Sequence, residues 1–382
     1  MKLACAALAV TVGLLAPAPA RAADTPQLAR PTGPHPELVR PTGHQPVGTA
    51  AIHLTDTSRP DPWVPGSAAR ELMVTVWYPA AGPGGRRARY MSPRESELYL
   101  AGKRITDLPA DTLSRVRTYA YTDARPAGRA HSLPLVVLSP GYTQPRGTLT
   151  GLAEDLASHG YVVAGIDHTH ETYAVTFPGG RIATCAACEL TEDDAFFRKL
   201  YAGRAADVSF VLDRLTGPKP AWRGSSLIDA SRIAMSGHSA GGASAIAAMA
   251  GDPRIDAGID MDGTTRGIVP SGGLSRPFLF LGTQAEHSPG GRDVSWDDDW
   301  KRLTGWRRWI VVAGAVHGSF TDLTLLADQL GIDLGATITG TRSLELTRRY
   351  NRAFFDRHLR HRPQPLLDRA SPRYPEVIIA AR

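Results

Sequence analysis

Two uninterrupted apolar runs, Leu135–Leu138 and Tyr161–Ile166, constrain the fold of this chain more than any other feature of its sequence. Neither run alternates with polar residues, so we expect each to be a strand that is buried on both faces of a sheet. Between them, apolar residues recur at helical spacing from 149 to 156, and Gly160 follows as a C-terminal cap. A strand, a helix and a second strand in this order indicate parallel pairing.

The alternation of strands and helices continues along the chain. Further strands are predicted at Leu72–Tyr78, Ile233–Met235, Ala257–Met261, Pro277–Leu281 and Trp309–Val312. Helices are predicted from a cap at Thr191 to Gly217, over Ala240–Ala250 and near Leu344–Leu359. This pattern predicts a single α/β domain with a mostly parallel central sheet and helices on both faces.

The composition excludes several other classes of protein. Hydrophobic residues make up 42% and charged residues 21% of 382 residues, so a sizeable core is available and disorder of the whole chain is excluded. The net charge is +6, but both signs are mixed along the chain. Because there is no basic block, RNA-binding signature or zinc-finger spacing, we expect no nucleic-acid partner.

The N-terminus has the pattern of a secretory signal peptide. A basic start at Lys2 precedes the uncharged apolar run Leu3–Leu15 and the small-residue site Ala20-Arg21-Ala22. We therefore expect cleavage after Ala22 and a secreted, extracellular protein. The predicted boundaries are a signal peptide at 1–22, a Pro-rich surface linker at 23–48, the α/β domain at 49–365 and a C-terminal tail at 366–382.

Cleavage of the signal peptide changes the cysteine count. It removes Cys5 and leaves Cys185 and Cys188, which are separated by two alanines. In an oxidising compartment this pair predicts a disulfide, with free thiols as the alternative. A redox role requires a thioredoxin-like pattern that is missing, and a zinc site requires two more ligands.

The motif Gly237-His238-Ser239-Ala240-Gly241 lies between a predicted strand and a predicted helix. This context is typical of a nucleophile elbow, in which a serine occupies a strained turn and small residues flank it. The helix N-terminus directs the positive end of its dipole toward the serine. Ser239 is therefore the candidate nucleophile, and an idle serine in a Gly-rich turn is the alternative.

A serine hydroxyl needs a base, which should be a histidine late in the chain. His317 is the best candidate because it follows the strand Trp309–Val312 in a loop with flanking glycines. His287 stands farther from its strand. His358 and His361 lie at the Arg-rich last helix and are expected to be solvated.

The base in turn needs a carboxylate to orient it. Asp262 directly follows a predicted strand and precedes Gly263, whereas Asp260 should point to the other side of that strand. Glu286 is the rival, but it lies five residues beyond Leu281. We therefore expect Asp262 to be the acid.

An oxyanion needs two preorganised N–H donors. The backbone amide of Ala240, which follows the serine, is one candidate. The loop after Leu135–Leu138 contains Gly141, which allows close backbone approach, and the amide of Tyr142 is the second candidate. A simple Pro-Gly turn is the alternative for this loop.

The segment Asp167-His168-Thr169-His170-Glu171 resembles a group of metal ligands, but no further ligand with suitable spacing accompanies it. We therefore interpret it as loop residues that shape or rim the pocket, and we expect neither a metal nor another cofactor.

With these motifs the chain resembles the bacterial members of the platelet-activating-factor acetylhydrolase family (plasma and type II intracellular kind), within the α/β hydrolases. The resemblance extends over roughly residues 40–360. The segments that carry it are Pro41-Thr42-Gly43, Ser58–Trp63, Leu72–Pro79, Leu135–Tyr142, Gly237–Gly242, Ile259–Asp262 and Gly314–Phe320.

The resemblance implies an α/β-hydrolase fold, a triad of Ser239, Asp262 and His317, and hydrolysis of phospholipid-type esters with release of a short acyl group. The expected partner is a small ester or lipid substrate, with transient contact to a lipid surface. Pro140 stands where the animal enzymes commonly have histidine, and this loop also looks like that of secreted lipases and cutinase-like polyesterases. A lipase or polyester hydrolase is therefore the alternative, and a non-catalytic binding protein is a third hypothesis.

Overall fold

A computed structural model describes residues 35–381 of the chain. The predicted signal peptide and the first part of the predicted linker lie outside these residues. The strands are β1 (Val47–Asp56), β2 (Arg70–Pro79), β3 (Tyr121–Thr122), β4 (Leu133–Ser139), β5 (Val162–Asp167), β6 (Val175–Thr176), β7 (Ile182–Ala183), β8 (Ile228–His238), β9 (Ile255–Met261), β10 (Phe278–Thr283), β11 (Arg307–Val312) and β12 (Val377–Ala381). The helices are α1 (Pro93–Gly102), α2 (Thr150–Ser158), α3 (Asp194–Thr216), α4 (Ala240–Gly251), α5 (Gln284–His287), α6 (Ser295–Trp300), α7 (Leu323–Leu330) and α8 (Gly340–His358).

The ten-stranded central sheet has the order β12-β11-β10-β9-β8-β4-β5-β2-β1-β3, and β6 and β7 form a separate pair. The run from β5 through β4, β8, β9 and β10 to β11 is parallel throughout. β2 pairs antiparallel with β5 and β1, and β12 pairs antiparallel with β11. The predicted mostly parallel sheet is confirmed.

The side chains of β4 explain its uninterrupted apolar run. Leu135 and Val137 belong to a core cluster with residues of α3 and α4, whereas Val136 and Leu138 belong to a second cluster with residues of α2 and α8. Successive side chains of a strand point to opposite faces. The strand is therefore covered on both faces, which requires apolar residues at every position.

Both ends of the predicted domain need correction. Residues 35–48 were expected to form a surface linker, but Leu38 is only 1% exposed and the Thr42 amide and hydroxyl both donate to Asp155. At the other end, the predicted tail contains β12, which completes the sheet beside β11. A high proline content or a position near a chain end therefore does not prevent a segment from packing when its apolar side chains contact the core.

The start of α3 also differs from the prediction. Asp193, not Thr191, is the N-cap, since its side chain accepts a hydrogen bond from the Phe196 amide at 2.8 Å. Within residues 35–381, no helix has the length and apolar character needed to cross a membrane.

Candidate active site

Ser239 stands alone between the end of β8 and the start of α4. Its φ of +56° and ψ of −125° are outside the regions that most residues adopt. Its amide donates to the Met261 carbonyl at 2.8 Å, which fixes the turn against the neighbouring strand. This is the strained strand–turn–helix geometry that the sequence predicts for a nucleophile elbow.

The glycines on either side of the turn are required by close backbone contacts. A Cβ atom on Gly237 would collide with the backbone of Gly241, and a Cβ atom on Gly241 would collide with the carbonyl of Ser139. The elbow can therefore form only with glycine at these two positions.

Asp262 and His317 meet at the same edge of the sheet as Ser239. Asp262 directly follows β9 and His317 lies in the loop after β11, and the distance from His317 Nδ1 to Asp262 Oδ2 is 2.7 Å. Asp262 is 2% exposed and also accepts from the Thr283 amide at 2.6 Å. Because a carboxylate can only accept hydrogen bonds, this contact places a proton on His317 Nδ1.

The ionisation of Asp262 follows from its partners. Burial alone would raise the pKa of this carboxyl, but hydrogen bonds from His287 and His317 lower its pKa well below the usual range. Asp262 is therefore a carboxylate at neutral pH, as an orienting acid must be.

The histidine before the serine also contacts the base. The rings of His238 and His317 have centroids 4.5 Å apart, and His238 Nε2 lies 2.8 Å from the His317 carbonyl oxygen. Burial is the main reason that the pKa of His238 is lowered to about 3. His238 is therefore a neutral donor that ties the His317 backbone to the elbow, a contact that sequence analysis missed.

The side chain of His317 is 56% exposed and lines an open cleft of about 880 Å³. In the part of the chain that the structure describes, Ser239 Oγ makes no hydrogen bond with His317. Catalytic hydrogen bonds of this kind often tighten only when substrate is bound.

The other candidate acids and bases have different partners. Glu286 binds Arg292 at 3.0 Å, and Asp260 is fully buried and accepts from the Gly263 amide at 2.9 Å. His358 was expected to be solvated, but its ring packs against Trp306 with centroids 4.4 Å apart. The expectation for His358 is wrong because the last helix turns its apolar face toward the core.

The loop after β4 approaches the elbow closely. A Cβ atom on Gly141 would lie 3.3 Å from Ser239 Cβ. In the described part of the chain, the backbone amides of Tyr142 and Ala240 donate to no other residue. Neither amide is therefore committed to another acceptor within these residues, as the predicted oxyanion role requires.

The segment 167–171 supports this loop from beneath. His168 Nε2 lies 2.9 Å from Ser139 Oγ, and Glu171 accepts from Arg204 Nε at 2.6 Å and, through its carbonyl, from the Thr143 amide at 2.9 Å. All these side chains except Thr143 are buried. The segment therefore shapes the loop through a mostly buried charge network. Residues 35–381 contain no cluster of three or more His, Cys, Asp or Glu side chains arranged to hold a metal ion.

Helix α1 covers the same loop from outside. Tyr99 Oη donates to Gln144 Oε1 at 2.5 Å, and Lys103 Nζ donates to Thr143 Oγ1 at 2.9 Å. A disulfide joins Cys185 and Cys188, whose Cα atoms are 5.3 Å apart, and Cys185 belongs to the same hydrophobic cluster as Ala240.

Comparisons with known proteins identify the family of the chain. A family model described as "Platelet-activating factor acetylhydrolase, isoform II" matches residues 97–184 and 224–364. A protein of Arthroderma benhamiae named "Probable 1-alkyl-2-acetylglycerophosphocholine esterase" is 29% identical over 86% of this chain and 89% of its own length. The platelet-activating factor acetylhydrolase of Cavia porcellus is 23% identical over 61% of this chain and 59% of its own length.

A solved structure is also similar. The ferulic acid esterase from Streptomyces cinnamoneus is 43% identical, has a TM-score of 0.82, and the match covers 91% of this chain and 100% of that chain. With the sheet order described above, these relatives establish an α/β-hydrolase fold and a carboxylic ester hydrolase. The family model matches more than half of the residues. The chain therefore belongs to the platelet-activating factor acetylhydrolase, isoform II, family.

Proposed function

We propose that this protein is a secreted serine esterase that releases short acyl groups from phospholipid-type esters through an acyl-enzyme. Ser239 is the nucleophile, His317 the general base and Asp262 the acid that orients His317. The observation that carries the proposal is the strained Ser239 turn at the same sheet edge as the 2.7 Å contact between His317 Nδ1 and Asp262 Oδ2.

In the proposed mechanism, His317 Nε2 takes the proton of Ser239 Oγ as this oxygen attacks the ester carbonyl. The amides of Tyr142 and Ala240 stabilise the oxyanion that forms. His317 then gives this proton to the leaving alcohol as the ester C–O bond breaks. In the second half, His317 takes a proton from a water molecule that attacks the acyl carbon, and it returns the proton to Ser239 Oγ as the bond between Oγ and the acyl group breaks and the acid leaves.

The phospholipid part of the proposal is supported by relatives, since the Arthroderma benhamiae protein is named as a 1-alkyl-2-acetylglycerophosphocholine esterase. A short acyl group gains little from a deep pocket. Each additional CH₂ group of the acyl chain would contribute about 0.8 kcal/mol to binding if the pocket buried it. A short pocket cannot bury the additional groups of a longer chain.

A second candidate substrate is an ester of a hydroxycinnamic acid. The ferulic acid esterase is 43% identical to this chain, compared with 29% for the Arthroderma benhamiae protein. Aromatic side chains also cluster beside the elbow, because Tyr142 and Phe196 have ring centroids 5.4 Å apart and pack with Ala240. Such a cluster offers faces on which an aromatic acyl group can stack.

One substrate panel separates these candidates. It contains p-nitrophenyl esters from acetate to palmitate, an sn-2 acetylated alkyl phospholipid and methyl ferulate, each tested with wild type and Ser239→Ala. We expect kcat/KM to be highest for acetyl to butyryl esters, with turnover of the acetylated phospholipid. Preference for methyl ferulate would favour the hydroxycinnamate candidate. A steady rise toward palmitate would replace both with the lipase or polyester hydrolase alternative.

A further inference from the structure

Asp262 holds two histidines, not one. His317 Nδ1 lies 2.7 Å from Oδ2, and His287 Nδ1 lies 2.9 Å from Oδ1. The Thr283 amide also donates a hydrogen bond to Oδ1, at 2.6 Å. The orienting acid of the site is therefore shared between an exposed histidine and a buried one, and the mechanism above uses only the first.

The ring of His287 is fixed in place. The residue is 3% exposed, and its ring stacks on Trp296 with centroids 4.1 Å apart at an interplanar angle of 27°. Its carbonyl oxygen accepts from Trp309 Nε1 at 2.7 Å. Such packing gives the Nδ1 atom one position relative to the carboxylate.

Both ring nitrogens of His287 face carboxylates. Nδ1 makes a hydrogen bond with Asp262, whereas Nε2 lies 3.3 Å from Asp293 Oδ2 in an ion-pair contact that lacks hydrogen-bond geometry. A neutral imidazole carries only one N–H, whereas an imidazolium carries two. Burial alone would lower the pKa of His287, but Asp262 and Asp293 raise its pKa to about 10. The two neighbouring carboxylates therefore favour the imidazolium form of His287.

None of the other charged groups near His287 and His317 takes the place of the His287 cation beside Asp262. Asp260, on β9, faces His287. Glu286 lies beside His287 in α5 and is paired with Arg292. His317 faces the neutral ring of His238 and shares its open cleft with Arg266, Asp194, Arg292, Asp293 and Asp298. Arg266 is paired with Asp194 at 2.7 Å, and His287 is thus the cation bonded directly to the acid that serves His317.

We propose that His287 is a positioning residue that holds Asp262 for His317 and, through its positive charge, extends esterase activity to lower pH. The charge opposes a second positive charge at the same carboxylate. The inference rests on the roles of Asp262 and His317 in the proposed function.

The test is the pH dependence of kcat/KM in His287→Asn. The asparagine amide nitrogen stands near the position of Nδ1, so the hydrogen bond to Asp262 is kept and the charge is lost. Because an adjacent like charge disfavours protonation, its removal should move the acid-side midpoint upward by about one pH unit. Activity at high pH should stay within a few-fold of wild type. His361→Asn, at an exposed histidine beyond α8, is the matched control and should leave the midpoint unchanged.

A second variant and a spectrum complete the test. His287→Phe keeps an aromatic ring for Trp296 but removes the donor, and kcat should fall by about tenfold or more because Asp262 is less well fixed. In ¹⁵N-histidine NMR at about pH 8.5, one imidazole protonated on both nitrogens should be present in wild type and missing in His287→Asn.

An unchanged acid-side midpoint in His287→Asn, or a neutral His287 imidazole in wild type, would overturn the inference. These outcomes are distinct from failure of the proposed function, which would appear as retained activity in Ser239→Ala regardless of residue 287.

Discussion

Arg204 Nη1 donates to the carbonyl oxygen of Pro140 at 2.5 Å and thereby anchors the loop that carries the Tyr142 amide. Arg204 is 1% exposed and also binds Glu171 through Nε. The buried network beneath the sheet edge is thus connected to the proposed oxyanion site through one side chain.

Replacement of Arg204 should affect both stability and catalysis. Arg204→Met leaves Glu171 as a buried charge without this partner and should reduce the free energy of unfolding by about 3–5 kcal/mol. The freed Pro140 loop should lower kcat by about tenfold to 100-fold with a smaller change in KM, since small misplacements of a catalytic group are costly. Urea unfolding and steady-state kinetics measure the two effects.

The control for this prediction is Arg198→Met, at an exposed arginine on the same helix. It should behave like wild type in both measurements. If Arg204→Met also keeps wild-type kcat, the anchor does not position the loop.

The triad should act as a unit. Ser239→Ala and His317→Ala should each lower kcat by about 10³-fold or more, and the double variant should be little worse. Asp262→Asn should cost far more activity than Glu286→Gln, because Asp262 contacts His317 whereas Glu286 binds Arg292. The reverse ranking in kinetic assays would move the acid to Glu286.

Stability should depend on pH through His287. Its pKa is raised to about 10, so the folded state favours the protonated form. The resulting stabilisation is complete below about pH 6.5, where the unfolded histidine is also protonated, and is lost as the pH rises through about 10. Urea unfolding between these limits should therefore show a decline in wild type that is weaker in His287→Asn. Parallel declines in the two proteins would show that another group is responsible.

The cysteines provide a test of secretion. Cleavage after Ala22 would remove Cys5, and the structure joins the other two cysteines, Cys185 and Cys188. Intact mass should therefore place the mature N-terminus near Ala23, and the denatured, unreduced protein should have no titratable thiol. Two reactive thiols per mature chain would exclude the disulfide.

The sequence was sufficient to locate the parallel strands and the elbow because these features depend on local patterns. Leu135–Leu138 must be apolar at every position, and the turn at Ser239 requires its flanking glycines. The middle residues of each central strand are correctly predicted, although β8 extends several residues beyond Ile233–Met235 at both ends.

The remaining features depend on contacts between distant parts of the chain. His287 has no sequence motif that connects it with Asp262, and only the adjacent β9 and β10 bring the two residues together. The strand Val377–Ala381 is short and near the chain end, and it acquires its partner only when β11 is in place. The buried side of segment 167–171 likewise depends on Arg204 from α3.

The central claim is that Ser239 is the nucleophile, and an organophosphonate probe tests it most directly. After the protein reacts with the probe, peptide mass spectrometry should locate one phosphonyl group on Ser239, and loss of esterase activity should parallel this modification. Ser239→Ala should remain unlabelled. Inactivation of wild type without modification at Ser239, or equal labelling of Ser239→Ala, would contradict the account.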